Sequence, residues 1–202
     1  MAKLNFKYAT MNSGKTLDLI RTAHNYEENG FKIVVLKPLI DTKGNSSITS
    51  RVGVSREVDF LIDKDDKIVE VLKGKLNDIT CVFIDEAQFL SKRQIDELFL
   101  ISHMTDIDVI CYGLRNNFKM EAFEGSERLL TIADELEELK TMCHCGKIAR
   151  YAGRKINGNY VTEGEEVVID GEIDIEYIPL CGECYLKYVM NTDKEKIKKM
   201  IR

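Results

Sequence analysis

Lys15 and Thr16 close an eight-residue stretch whose residue types suit a phosphate: Ala9, Thr10, Met11, Asn12, Ser13, Gly14, Lys15 and Thr16. An alternating run (Leu4, Phe6, Tyr8) precedes it, and a helical pattern begins near Leu17. Strand, tight polar loop ending in Gly-Lys-Thr, then helix is the setting of a phosphate-binding P-loop. Backbone N–H groups of such a loop point inward and the helix dipole adds positive charge, so phosphate oxygens are solvated there. Lys15 would neutralise β- and γ-phosphates, and the Thr16 hydroxyl would sit on magnesium. Ala9 stands where the general pattern has glycine. Alanine is tolerated there if its φ is negative and strained if it is not.

A second group follows the apolar run ending at Ile84: Asp85, Glu86, Ala87, Gln88 and Phe89. In open parallel sheets ligands bind beyond the carboxyl ends of the strands. Asp85 would hold magnesium opposite Thr16, and Glu86 would accept a proton from whatever attacks the γ-phosphate. Gln88 is assigned to the same phosphate-binding set. The plain alternative for these acids is an exposed turn.

The third group is cysteine. Cys143 and Cys145 form one pair and Cys181 and Cys184 another, the latter with C-x-x-C spacing. Four thiolates give zinc a closed tetrahedral shell, the mark of a structural site. His144 is a rival ligand, and unrelated free thiols are the other alternative. Cys81 and Cys111 lie inside apolar runs and read as core residues. His24 and His103 fall in helical patterns and read as ordinary helix residues. Leu114 and Phe118 would either wall a flat ligand or anchor a loop, and Tyr177 is open to the same two readings.

These groups need elements to hold them. The periodicity predicts helices over 15–29 and 64–73, with a third around Ile95, Leu98, Phe99 and Ser102. Buried strands are expected over 33–36, 81–84 and 107–112, and a polar loop over 41–55. Strands alternating with helices indicate βαβ units, hence an α/β fold with a parallel sheet. Domains are expected at 1–139 and 140–192, the second β-rich, followed by a charged tail over 193–202 ending as a frayed helix.

A chain of 202 residues fits one compact α/β domain and a small appendage. No apolar run approaches the roughly 20 residues that span a bilayer, so no membrane partner is expected. The first residues lack a secretory core, which predicts a cytoplasmic protein with reduced cysteines. A net charge of −5 argues against a generic nucleic-acid binder.

Taken in order, the motifs resemble the type II thymidine kinases, a cytosolic family with a P-loop domain and a zinc-bearing lasso. The resemblance runs from Leu4 to Tyr188. It rests on residues 9–16, 85–89, 112–118, 138–143, 163–169 and 177–181. It implies a P-loop, RecA-like parallel sheet with flanking helices plus a small zinc domain. The implied reaction carries the γ-phosphoryl of ATP, with magnesium, to the 5′-hydroxyl of thymidine, and Glu86 is the implied base. Met11, Phe89, Leu114, Phe118 and Tyr177 match nucleoside-enclosing positions, and Val167, Val168 and Ile169 lie in the lasso. The resemblance further implies a homotetramer and feedback inhibition by thymidine triphosphate (dTTP). Departures are Ala9, Lys43 where the family often has arginine, Asp170 where Gly-Gly is common, and a longer stretch before Tyr177. Asp85 to Gln88 also resembles the acidic box of helicase-type ATPases, although such motors need two RecA-like domains. A zinc-ribbon nucleic-acid adaptor is the non-enzymatic alternative.

Overall fold

The computed structural model describes residues 2–39, 46–164, 174–192 and 194–201. They divide into two compact units that are not contiguous in the chain. One comprises Met1–Tyr8, Gly14–Arg115 and Phe123–Leu139; the other comprises Ala9–Ser13, Asn116–Ala122 and Lys140–Arg202.

The first unit follows the order β1 (Leu4–Ala9), α1 (Lys15–Glu28), β2 (Ile33–Pro38), β3 (Ser47–Thr49), β4 (Ser55–Glu57), β5 (Phe60–Ile62), α2 (Ile68–Val71), β6 (Cys81–Ile84), α3 (Lys92–Met104), β7 (Asp108–Leu114), α4 (Glu124–Ile132) and β8 (Glu135–Glu138). Six strands form one sheet, ordered β5-β2-β6-β7-β1-β8. β2 runs parallel to β5 and β6, β6 to β7, and β1 to β8. Side chains alternate across the sheet, and both faces are covered. Val34, Leu36, Val82, Ile84 and Val109 pack on one side with Ile95, Leu98 and Ile101 of α3. Val35, Phe83, Ile110 and Tyr112 pack on the other with Leu19 and Ala23 of α1. Helices on both faces explain why β6 is apolar at every position rather than at every second one.

The start of α3 is fixed by a capping box between Ser91 and Gln94. The Gln94 amide also donates to the carbonyls of Asp63 and Asp66, at 2.8 and 3.1 Å. Asp66 belongs to the expected 64–73 helix, which shortens to α2. The Asp63 amide donates to the Asp66 carboxylate at 2.8 Å, a local bond that competes with helix formation. The expected 41–55 loop also differs: β3 and β4 pair there as an antiparallel hairpin, with Ile48 buried. Residues 41–45, Lys43 among them, lie outside the described residues. His103 has a partner the sequence did not show, with Nε2 3.3 Å from Asp134 and its ring stacked on Phe99.

In the second unit β9 (Thr141–Met142) and β10 (Ile148–Ala149) form a short hairpin. β11 (Tyr151–Ile156) lies between β12 (Asn159–Val161) and β13 (Ile175–Leu180), antiparallel to both. Two helices follow, α5 (Gly182–Tyr188) and α6 (Lys194–Ile201). The core is small: Ala149, Leu180, Tyr185 and Val189 around three of the cysteines. A core of this size calls for a staple. The segments 9–13 and 116–122 supply part of the rest. Tyr185 Oη donates to the Phe118 carbonyl at 2.5 Å, and Thr141 Oγ1 to the Asn12 carbonyl at 3.3 Å. Val167, Val168, Ile169 and Asp170 lie outside the described residues.

Candidate functional site

Ala9 is the last residue of β1 and is extended, so the absent glycine costs no strain. Left-handed backbone occurs further along the loop, at Asn12 (φ 62°) and Gly14 (φ 81°). Gly14 is the residue that turns the chain into α1, and there glycine is required. Asn12 Nδ2 donates to the Tyr177 carbonyl at 3.4 Å.

In the first unit, Lys15 and Thr16 open α1 while Asp85 and Glu86 follow β6. Thr16 Oγ1 donates to Asp85 Oδ2 at 3.2 Å, which brings together the two residues expected to share a magnesium ion. Asp85 is held otherwise by its own chain: its amide donates to the Leu36 carbonyl, and its Oδ1 accepts from the Glu86 amide at 3.1 Å. Burial pushes the Asp85 carboxyl up to about 7, and the neighbouring Glu86 charge adds to this. Lys15 and the two hydrogen bonds work in the opposite direction. Burial in turn lowers the Lys15 ammonium, against the pull of Glu86 and Asp85. A cationic ligand would favour the charged Asp85 carboxylate, and an anionic one would favour a charged Lys15.

Glu86 is half-buried, with its backbone in the left-handed region at φ 51°. Gln88, 1% exposed, donates from Nε2 to Glu86 Oε2 at 2.5 Å and accepts at Oε1 from the Leu114 amide at 3.0 Å. Both ends of an amide expected to meet phosphate are thus turned toward Glu86 and Leu114. Sequence reasoning had no signal for this, because the Leu114 contact depends on strand register.

The expected nucleoside contacts have varied surroundings. In the first unit Phe89 is half-buried, edge-on to Phe123 at 5.6 Å, and Leu114 is buried. In the second, Met11 and Tyr177 are half-buried. Phe118 is buried, with the Arg154 guanidinium 3.6 Å from its ring centroid. Arg154 is a buried charge that no sequence motif marks.

The four cysteine sulfurs, Cys143, Cys145, Cys181 and Cys184, lie within 4.8 Å of one another and could hold a metal ion. A tetrahedral shell with bonds of about 2.3 Å sets its sulfurs roughly 3.8 Å apart, so the donor set fits. The Cys145 and Cys181 sulfurs are 3.5 Å apart. A tight turn presents the first pair, where the Gly146 amide donates to the Cys143 carbonyl, and the start of α5 presents the second. His144 borders the cluster, its two ring nitrogens each 3.7 Å from a sulfur, those of Cys143 and Cys184. Among the described residues no helix is long and apolar enough to cross a membrane.

Comparison with known proteins gives a consistent picture. The family model described as thymidine kinase matches residues 2–185. A thymidine kinase of Streptococcus gordonii is 39% identical over 193 residues, covering 95% of this chain and 100% of that protein. The thymidine kinase of enterobacteria phage T4 is 45% identical over 185 residues, covering 90% and 94%. Among solved structures, Pif1 helicases at forked DNA align over 68% of this chain and 39% of theirs, at 16% identity and a TM-score of 0.35. That match is too loose to carry an argument.

Proposed function

The chain belongs to the thymidine kinase family, and from that premise we propose that it transfers the γ-phosphoryl of ATP to the 5′-hydroxyl of thymidine. The observation that carries the site assignment is the grouping of the buried Lys15 and Asp85 with the half-buried Thr16 and Glu86. Phosphoryl transfer asks little covalent work of a protein and much positioning and charge neutralisation. Lys15 and the start of α1 stabilise charge on the β- and γ-phosphates. Thr16 and Asp85 offer hydroxyl and carboxylate oxygens, the hard donors magnesium takes, and the ion when bound would neutralise the phosphates. Glu86 accepts the proton of the thymidine 5′-hydroxyl as its oxygen meets the γ-phosphorus. The products are ADP and thymidine monophosphate.

Residues 9–14 complete the phosphate loop, and Met11, Phe89, Leu114, Phe118 and Tyr177 are the proposed nucleoside contacts. Cys143, Cys145, Cys181 and Cys184 hold a structural zinc. A cytoplasmic location, a homotetramer and inhibition by dTTP complete the proposal on family resemblance. The test is ATP consumption by the purified protein with thymidine, with single-stranded DNA, and with neither. Thymidine monophosphate forming in step with ADP is the expected result. ATP turnover driven by DNA and indifferent to thymidine would overturn it.

A further inference from the structure

Glu86 is a left-handed residue just after β6. A base must be held within hydrogen-bond reach of its proton. The contact that fixes the Glu86 carboxylate comes from Gln88, and the orientation of that amide is dictated elsewhere. The Leu114 N–H points at Gln88 Oε1 at 3.0 Å, so the carbonyl end must face Leu114 and the NH2 end must face Glu86. A flipped amide would set NH2 against N–H and oxygen against carboxylate, two repulsions at a side chain that is 1% exposed. Leu114 is itself fixed, since its carbonyl accepts from Ser126 Oγ at 2.5 Å, within the same unit. Space for the amide exists because residue 113 is glycine. A Cβ there would lie 2.9 Å from Gln88 Oε1 and 3.2 Å from the Gln88 backbone nitrogen.

We infer that Gln88 is a positioning residue which orients the Glu86 carboxylate from the end of β7, rather than a phosphate ligand. The inference rests on the kinase reading, in which Glu86 is the base and Leu114 a nucleoside contact. The buried Ser126, Leu114 and Gln88 form one line that ends at the half-buried Glu86, so the strand end that meets the nucleoside also aims the group that deprotonates it.

The test compares Gln88→Ala, Gly113→Ala and the double variant, measuring kcat, both KM values and the melting temperature. Misplacing a base by a fraction of its reach predicts that Gln88→Ala loses kcat about 10–100-fold. KM for ATP and for thymidine should stay within about threefold of wild type. Gly113→Ala should show the same split by pushing the amide aside. Because both act through one side chain, the double variant should match Gln88→Ala within about twofold instead of showing the product of the two losses. Wild-type kcat in Gln88→Ala, or a rise in KM for ATP with kcat intact, overturns the inference. If Gln88→Ala does not fold, Gly113→Ala decides alone by the same criterion. Wild-type turnover of thymidine in the same assay reports separately on the proposed function.

Discussion

Glu86 is expected to carry the chemical step and little of the binding. Replacing it with glutamine keeps its size and removes its basicity, so Glu86→Gln should lower kcat roughly 10²–10⁴-fold. Thymidine binding, followed by calorimetry, should stay within about threefold. Near-normal turnover in that variant would remove Glu86 from its assigned role. Ala9→Gly tests the opposite kind of residue. The extended backbone at position 9 has no use for glycine's freedom, so KM for ATP should stay within about twofold and stability should fall by about 0.5–1 kcal/mol. An improved KM would show that the loop does want glycine there. At this scale the sequence was informative wherever a residue's type alone limits its chemistry. Lys15, Thr16, Asp85 and the four cysteines could be proposed from type and spacing, and the structure groups Thr16 with Asp85 and the four sulfurs with one another. The partner of Gln88 could not be named, because a side chain reaching a neighbouring strand end depends on register, which no local pattern records.

At the scale of elements, α1 shows how a helix is tied to a sheet by charge as well as by packing. Asp18 accepts from Tyr112 Oη on β7 at 3.0 Å and pairs with Lys7 on β1 at 3.3 Å and with Arg21 at 2.6 Å. Burial works against its charge, but Arg21, Tyr112 and Lys7 outweigh it and hold the carboxyl below the usual range. A depressed pKa in the fold means that the stabilisation is present above the unfolded value of about 3.9 and is lost as pH falls through the lower folded value. Asp18→Asn should therefore be less stable than wild type by about 1–3 kcal/mol at pH 7. The gap should close below about pH 4, as followed by melting temperature against pH. A gap that persists into acid would assign the loss to shape instead of charge. The buried strands and α1 were readable because apolar spacing announces them. β8 was not: Glu135, Leu136, Glu137 and Glu138 carry no strand-like alternation. It forms through β1, where Lys7 stands opposite Glu137 and the two side chains lie 3.2 Å apart. The β3–β4 hairpin escaped notice for the same reason, because its three-residue strands are fixed by pairing with each other.

For the molecule as a whole, the four sulfurs are expected to decide whether the second unit stays folded. Metal analysis of the purified protein should find one zinc per chain, and its absence would end the structural-zinc proposal. Stripping the ion with a chelator should abolish amide protection in β9 to β13 and α5, while β2, β6 and β7 keep theirs, as measured by hydrogen exchange. The α/β class of the first unit was legible from strands alternating with helices. The division of the chain was less so, because sequence order suggests a cut near residue 140 while the compact units interleave. Arg154 stacks on Phe118, Tyr185 bonds the Phe118 carbonyl, and Tyr177 receives Asn12. A gene fragment ending at this boundary would therefore encode an incomplete object. Recombination could not move the cysteine-bearing part to a new host as a cassette, since two short upstream segments, 9–13 and 116–122, would have to travel with it. The two units are bound to be inherited, and lost, together.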